Sequence, residues 1–267
     1  MTTLDRILAE TREELGRRKR ELPLAALADR VHAHTDQPRS AGGQRRFRDA
    51  LNREGVGVIA EFKRRSPSAG ALRAQPQLAE IVGAYERGGA VALSILTEGP
   101  NFEGALDDLR AARAVCDLPL LRKDFIVDPY QLYEASAATA DAVLLIVAAL
   151  EQRDLAVLYE MARELGLDVL VEVHDSDELQ RALELEADIV GINNRDLRDF
   201  SVDLERTERL MDAIPPEVTV VSESGIAGAE QIARLRAGGV SAVLVGESLM
   251  RSPDPAATLR MLTSTAS

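Results

Sequence analysis

An eight-stranded parallel barrel wrapped by helices, the (β/α)8 TIM-barrel architecture of the α/β class, is the fold this sequence predicts, and three observations predict it. From Val56 onward a short β-branched apolar run, a loop and an amphipathic helix recur eight times. The runs are too apolar for either face to meet water, as parallel strands covered on both sides require. The length, 267 residues, suits one large barrel of this kind. The competing fold, an open doubly wound sheet, would follow its first strand with a G-x-G-x-x-G turn, whereas the residues there are Lys63-Arg64-Arg65-Ser66. The expectation is a single (β/α)8 domain over 1–267, of which 1–50 form an N-terminal helical extension.

Taken in order, residues 3 to about 21 place Leu4, Ile7, Leu8 and Leu15 at helical spacing among Glu and Arg, with Thr3 as the expected cap. A second short helix is expected over 24–31, after Pro23, and residues 32–45 form a polar stretch without periodicity. His32 and His34 lie there; with no Cys or acidic cluster at ligand spacing, the stretch reads as a solvated turn rather than a metal site. Strands are expected at 56–63, 90–97, 119–125, 142–148, 168–173, 189–194, 219–224 and 242–246. Helices are expected near 77–88, 102–115, 128–139, 151–165, 175–186, 203–213, 228–238 and 254–263. Asp128-Pro129 and Asp254-Pro255 put proline in a first helical turn, and Gly88-Gly89, Gly166 and Gly238-Gly239 end helices.

A net charge of −12 argues against a nucleic-acid or anionic-membrane partner, since both need a basic footprint. Cys116 is the single cysteine, so no intrachain disulfide can form, and its apolar helical setting suits packing in a reducing compartment. No signal-like or membrane-spanning apolar run occurs, and a cytoplasmic enzyme is expected, as a monomer or at most a weak dimer. Of 32 basic residues only Lys19, Lys63 and Lys123 are lysines, and the other 29 are arginine. Two of those three stand at strand ends, where a compact ammonium able to exchange a proton differs from a guanidinium that cannot.

Glu61-Phe62-Lys63, Leu121-Arg122-Lys123 and Glu172-Val173-His174 each end a buried strand with charge. Alternate strand residues share a face, so Glu61 with Lys63, Leu121 with Lys123 and Phe125, and Leu170 with Glu172 converge at one barrel mouth if their apolar members face inward. A salt-bridge layer closing the barrel is the bland alternative. Against it stand two glycine-containing loops after the last two strands, Ser222-Glu223-Ser224-Gly225-Ile226 and Val245-Gly246-Glu247-Ser248, where barrels bind phosphate through backbone N–H groups. Glu247 suits such a loop only if its side chain points outward. Asn193 adds a neutral hydrogen-bonding group, Arg195 a grip for carboxylate or phosphate, and Ile192 and Leu197 are expected to pack. The loop over 63–68 is locally basic, and Phe102, Phe125, Leu144 and Leu244 are candidate apolar walls. A second ammonium nearby and partial burial are expected to lower the Lys123 pKa toward neutrality.

The segments Ile59-Ala60-Glu61-Phe62-Lys63-Arg64-Arg65-Ser66-Pro67-Ser68, Ser94-Ile95-Leu96-Thr97-Glu98, Leu121-Arg122-Lys123-Asp124-Phe125-Ile126, Leu170-Val171-Glu172-Val173-His174, Gly191-Ile192-Asn193-Asn194-Arg195-Asp196-Leu197 and Ser222-Glu223-Ser224-Gly225-Ile226 resemble the indole-3-glycerol phosphate synthase family in order and spacing. The resemblance implies a (β/α)8 carboxy-lyase of tryptophan biosynthesis. Its substrate would be a phosphorylated small molecule, 1-(2-carboxyphenylamino)-1-deoxyribulose 5-phosphate, converted to indole-3-glycerol phosphate with loss of carbon dioxide and water. No cofactor or metal is implied. By the same resemblance Lys123 is the general acid, Glu172 a general base, and Lys63 the group that binds the substrate carboxylate and is a candidate donor of the later proton. Glu61, Asn193 and Glu223 support them. Ser66, Arg195 and Ser224 contact substrate, while Gly225, Gly246 and the backbone of Glu247 hold phosphate, Glu247 standing where some members carry a small hydroxyl residue. Two rival readings, another phosphosugar barrel enzyme such as an isomerase and a non-catalytic phosphate sensor, need neither the lysine pair facing a glutamate nor, for the isomerase, the N-terminal fifty residues.

Overall fold

The computed structural model describes residues 2–35, 45–196 and 201–264, with the side chains of 32–35 excepted. The polar stretch at 36–44, the His32 and His34 side chains and Leu197 lie outside the described residues. Eight parallel strands close into a barrel: β1 (Gly57–Phe62), β2 (Ala92–Leu96), β3 (Leu120–Lys123), β4 (Ala142–Ile146), β5 (Asp168–Val173), β6 (Ile189–Asn193), β7 (Thr219–Glu223) and β8 (Ala242–Val245). Each pairs with its sequence neighbours, and β1 closes on β8 with Gly57 opposite Ala242 and Ala60 opposite Val245. The strand at 168–173 has its expected bounds and the other seven are shorter than expected by one to three residues, because pairing stops where the chain turns into the loops.

Strand alternation divides the apolar residues into two cores. Ile59, Ala92, Leu121, Leu144, Ile146, Leu170, Val221 and Leu244 fill the barrel interior. Val58, Phe62, Leu93, Ile95, Val143, Leu145, Val171 and Val243 face outward onto the helical layer. That layer holds α4 (Leu78–Gly88), α5 (Leu106–Arg113), α6 (Pro129–Ala137), α7 (Gln152–Glu164), α8 (Ser176–Leu183), α9 (Glu205–Met211), α10 (Ala229–Ala237) and α12 (Pro255–Thr263), with the short α11 (Glu247–Arg251) directly after β8. Asp128 and Asp254 cap α6 and α12 ahead of proline, accepting from the Tyr130 and Ala257 amides at 2.9 Å each. The expected start of α5 at 102 moves to Leu106, because Glu98 draws the preceding chain into a loop, accepting from the Asn101 and Phe102 amides at 2.8 and 2.9 Å.

Three helices precede the barrel: α1 (Thr3–Glu21), α2 (Leu24–Thr35) and α3 (Arg46–Leu51). The α1 cap is Thr2, not Thr3. Thr2 Oγ1 accepts the Asp5 amide at 3.1 Å while Asp5 accepts the Thr2 amide at 2.7 Å, a reciprocal box that needs an acid three residues after the cap. The six-residue α3 is too short to carry a periodic signal and is held by tertiary contacts. Phe47 and Leu51 are buried in the interior core, and Asp168 at the start of β5 accepts the Arg48 amide at 3.0 Å and the Arg45 guanidinium at 3.2 Å. Thus α3 plugs the end where the strands begin. At the opposite end Ile7 and Leu8 of α1 join the same interior core beside Phe125, with Phe102 packed against it. Arg6 Nη1 reaches Asn101 in the loop after β2 at 3.1 Å, and Lys19 pairs with Asp128 at 2.6 Å.

Candidate active site

The barrel mouth where the strands end opens into a cavity of about 410 Å³. Because residues two apart share a strand face, Glu61, Lys123, Glu172, Asn193 and Glu223 top the columns of interior apolar residues on β1, β3, β5, β6 and β7, with Lys63 just past β1. All six line the cavity, as do Ser66, Phe102, Phe125, Leu144, Arg195, Ser224, Gly225, Leu244, Gly246 and Glu247. Arg122, between the inward Leu121 and Lys123, points the other way and is fully buried in the helical layer between Asp124 at 2.8 Å and Glu134 at 3.2 Å.

Lys123 is the hub of the polar groups. Its Nζ lies 2.7 Å from Glu172 Oε2 and 3.1 Å from Glu223 Oε2. Burial alone pulls the ammonium down, but Glu172, Glu223 and Glu61 outweigh it and hold the Lys123 pKa above its ordinary value. The expected lowering is therefore corrected: carboxylates, not a second ammonium, dominate the surroundings of Lys123, and Lys63 is drawn to Glu61 at 2.5 Å. The two carboxylates on Lys123 differ. Burial raises the Glu172 pKa, yet Lys123, His174 and the Asn193 amide, 3.1 Å from Oε1, reverse this and hold it below the usual range. Glu223 is pushed up to about 7 by burial first, with the Glu172 charge adding to it against the pull of Lys123. Its Oε1 is buried without a hydrogen-bond partner among the described residues. The geometry thus presents a protonated donor, an ionised base and a carboxyl poised near neutrality within one contact network.

Asn193 is oriented by its own loop, its Oδ1 accepting the Arg195 amide at 3.0 Å. Asn194, wholly buried, donates to the Ser222 hydroxyl and the Glu223 carbonyl, tying the end of β6 to the end of β7. In that turn Ser224 and Gly225 take φ of 65° and 80°, both left-handed, so two successive peptide units curl over the mouth. Serine there costs of order 1 kcal/mol, the kind of strain that accumulates at binding loops. Gly246 leads into α11, and a Cβ there would come within 2.3 Å of Glu61 Oε1, so glycine is required by the close approach of a site carboxylate. Glu247 turns its carboxylate to Arg251 Nε, 3.2 Å away, one turn further along α11, which neutralises it and leaves the backbone amides of the loop for an anion. Ser66 sits in a small antiparallel hairpin, Arg65–Ser66 with Gly70–Ala71, where its Oγ accepts the Ala69 amide at 3.2 Å. Phe102 and Phe125 meet with ring centroids 6.3 Å apart and form one apolar wall.

Ile146 and Arg251 also line the cavity and are absent from the sequence reading, while Ser248 lines it as a member of the glycine loop. Ile146 follows Leu144 by two and was reachable by strand alternation; Arg251 needed the full path of α11.

Fold and site together define a class, a (β/α)8-barrel enzyme with an acid–base cluster and anion-receptive loops at its C-terminal mouth. The profile of the Indole-3-glycerol phosphate synthase family matches residues 4–262. Proteins of that name from Acidithiobacillus ferrooxidans, Kineococcus radiotolerans and Koribacter versatilis are 50%, 49% and 47% identical, covering 97%, 96% and 98% of this chain and 97%, 92% and 98% of their own. The chain belongs to the indole-3-glycerol phosphate synthase family. Among solved structures, a mutant tryptophan synthase alpha-subunit from Pyrococcus furiosus superposes with a TM-score of 0.61 at 15% identity, covering 79% of this chain and 99% of that one. Thiamine phosphate pyrophosphorylase from the same organism gives 0.58 at 19%, covering 81% and 96%. Both share the fold alone.

Proposed function

We propose that this cavity closes the indole ring, converting 1-(2-carboxyphenylamino)-1-deoxyribulose 5-phosphate into indole-3-glycerol phosphate, carbon dioxide and water. The backbone amides after Ser224 and Gly246 receive the phosphate, and Phe102, Phe125, Leu144 and Leu244 enclose the anilino ring. Lys63 holds the substrate carboxylate, which exchanges for Glu61 as its partner. As the ring carbon that carries the carboxylate attacks the ribulose carbonyl, Lys123 gives its proton to the carbonyl oxygen, so no alkoxide accumulates. Loss of carbon dioxide returns electrons to the ring. The hydroxyl then leaves with a proton from Lys63, while Glu172 takes a proton from the neighbouring ring carbon, the former C1 of the ribulose, so that the five-membered ring becomes aromatic with its N–H kept. Asn193 keeps Glu172 aimed, and Ser66 and Arg195 complete the substrate contacts.

The observation that carries this reading is the position of Lys123, a partly buried ammonium 2.7 and 3.1 Å from two carboxylates whose pKa values are shifted in opposite directions. Purified protein supplied with the anilino substrate should develop indole fluorescence, and Glu172→Gln should abolish it with the fold intact. Absence of product from the folded parent would reject the assignment. No described helix is long and apolar enough to cross a membrane. The acidic charge and single cysteine support cytoplasmic residence and a small-molecule rather than nucleic-acid partner; sedimentation at micromolar concentration tests the expected monomer or weak dimer.

A further inference from the structure

His174 follows β5 two residues after Glu172 and therefore shares its inward direction, yet it stands behind that carboxylate, outside the cavity lining. Glu178 of α8 clamps it. Glu178 Oε2 accepts the His174 backbone amide at 2.8 Å and lies 3.0 Å from Nδ1. With Nδ1 so engaged, Nε2 is turned toward Glu172 Oε1, 3.5 Å away, and is buried with no hydrogen-bond partner among the described residues. Glu223 shares the same ammonium at 3.1 Å, but its Oε1 has no hydrogen-bond partner among the described residues. Two carboxylates thus divide one lysine, and an imidazole backs one of them.

The charges facing the ring are Glu172 from β5, Glu178 from α8 and Arg206 from α9. Arg206 spends one donor on the Asn193 carbonyl at 2.7 Å. Two anions against one cation favour the imidazolium; burial opposes it, but the Glu178 contact and both carboxylates raise the His174 pKa above its ordinary value.

We propose that His174 is a positioning residue whose imidazolium, clamped by Glu178, keeps Glu172 the ionised and correctly aimed member of the carboxylate pair on Lys123, so that the base role falls to Glu172 and not to Glu223. The proposal rests on the reading of Glu172 as the base given above. Removing the imidazolium takes a positive charge from Glu172, so the base accepts a proton at higher pH and activity is lost sooner on acidification.

His174→Phe and His174→Gln, compared with the parent across about pH 5.5 to 9, test this. In both, the acidic limb of the kcat profile should move up by about one pH unit, with kcat near neutrality reduced about tenfold and KM little changed. Glu178→Gln, which removes the clamp and one of the anions holding the charge on the ring, should move the limb the same way by less, and it carries the test if the phenylalanine variant fails to fold. Acidic limbs that coincide with the parent's in the histidine variants overturn the proposal. So does a parental profile for His174→Gln alone, since a neutral donor would then suffice. Glu172→Gln separates the two levels: if it turns over like the parent, the base assignment itself falls, and if it is dead while the histidine variants are parental, only the role of His174 does.

Discussion

At the scale of single residues, the pairing of Lys123 with two carboxylates makes it a filled proton donor rather than a group balanced near neutrality. Substrate must loosen that pairing before the proton moves, which ties proton transfer to correct binding. A guanidinium keeps the charge but cannot give up its proton. Lys123→Arg is therefore expected to fold and lose turnover almost as completely as Lys123→Met, a deficit of about 10²–10⁴-fold in kcat. Retention of most turnover in the arginine variant would show that charge alone suffices and move the search for the acid to Lys63. Glu223 makes a stability prediction. Its folded pKa, about 7, lies above the ordinary 4.5, so the native state binds this proton more tightly than the unfolded chain. That contribution is fully present below pH 4.5 and is lost as pH rises through about 7. Glu223→Gln, which never ionises, should therefore melt a few degrees above the parent at pH ~8, with the gap shrinking on acidification, and should lose activity. Equal melting temperatures across the range would mean that Lys123 compensates the Glu223 charge in full.

At the scale of elements, the helices before the barrel divide their work. Arg45 and α3 close the end where the strands begin, through Asp168 and through Asp188 at 2.7 Å. By contrast α1 covers the catalytic end, where Ile7 and Leu8 lie in the core beside Phe125 and Leu144. A contact chain from Glu10 through Asn101, 2.9 Å apart, to Glu98, 2.7 Å further, fixes the loop that carries Phe102. A chain starting at residue 45 keeps Arg45 and the plug but loses this cover. It should fold with reduced stability and show KM raised about tenfold or more, as loss of roughly 1.4 kcal/mol or more of binding energy implies. Unchanged kinetics in the folded truncation would remove α1 from the site.

At the scale of the whole molecule, a chain of net charge −12 must admit a substrate that is itself an anion. At the mouth the acidic excess gives way to a near balance, since Lys63, Lys123, Arg195 and Arg251 line the cavity among five carboxylates, and these cations can draw an anion in. Such focusing acts over a Debye length of about 10 Å at moderate salt and shrinks as salt rises. The value of kcat/KM should fall several-fold between roughly 0.1 and 1 M ionic strength, chiefly through KM, whereas a flat response would mean that these cations do not steer the substrate.

The barrel, its eight strands and the set of residues at its mouth were legible in the sequence because they obey local rules. A short, continuous β-branched apolar run marks a strand buried on both faces, and a charge on its inward face after the last apolar residue points to the open end. That reasoning brings Glu61, Lys123 and Glu172 to one mouth, with the glycine loops after the last two strands beside them. What only the tertiary structure decided is who faces whom. The stagger of strands around a closed barrel puts Glu223 of β7 on Lys123 of β3, and no pattern along either strand encodes that distance. The same pairing reversed the expected direction of the Lys123 pKa, since a pKa answers to the sum of charges across space and not to neighbours in sequence. The plug α3 stayed hidden because six residues cannot display a helical period and owe their shape to Asp168, more than a hundred residues away. His174 was visible as a letter beside Glu172, but its bearing on that carboxylate depends on a clamp from α8 that exists once the helix has folded back on its strand.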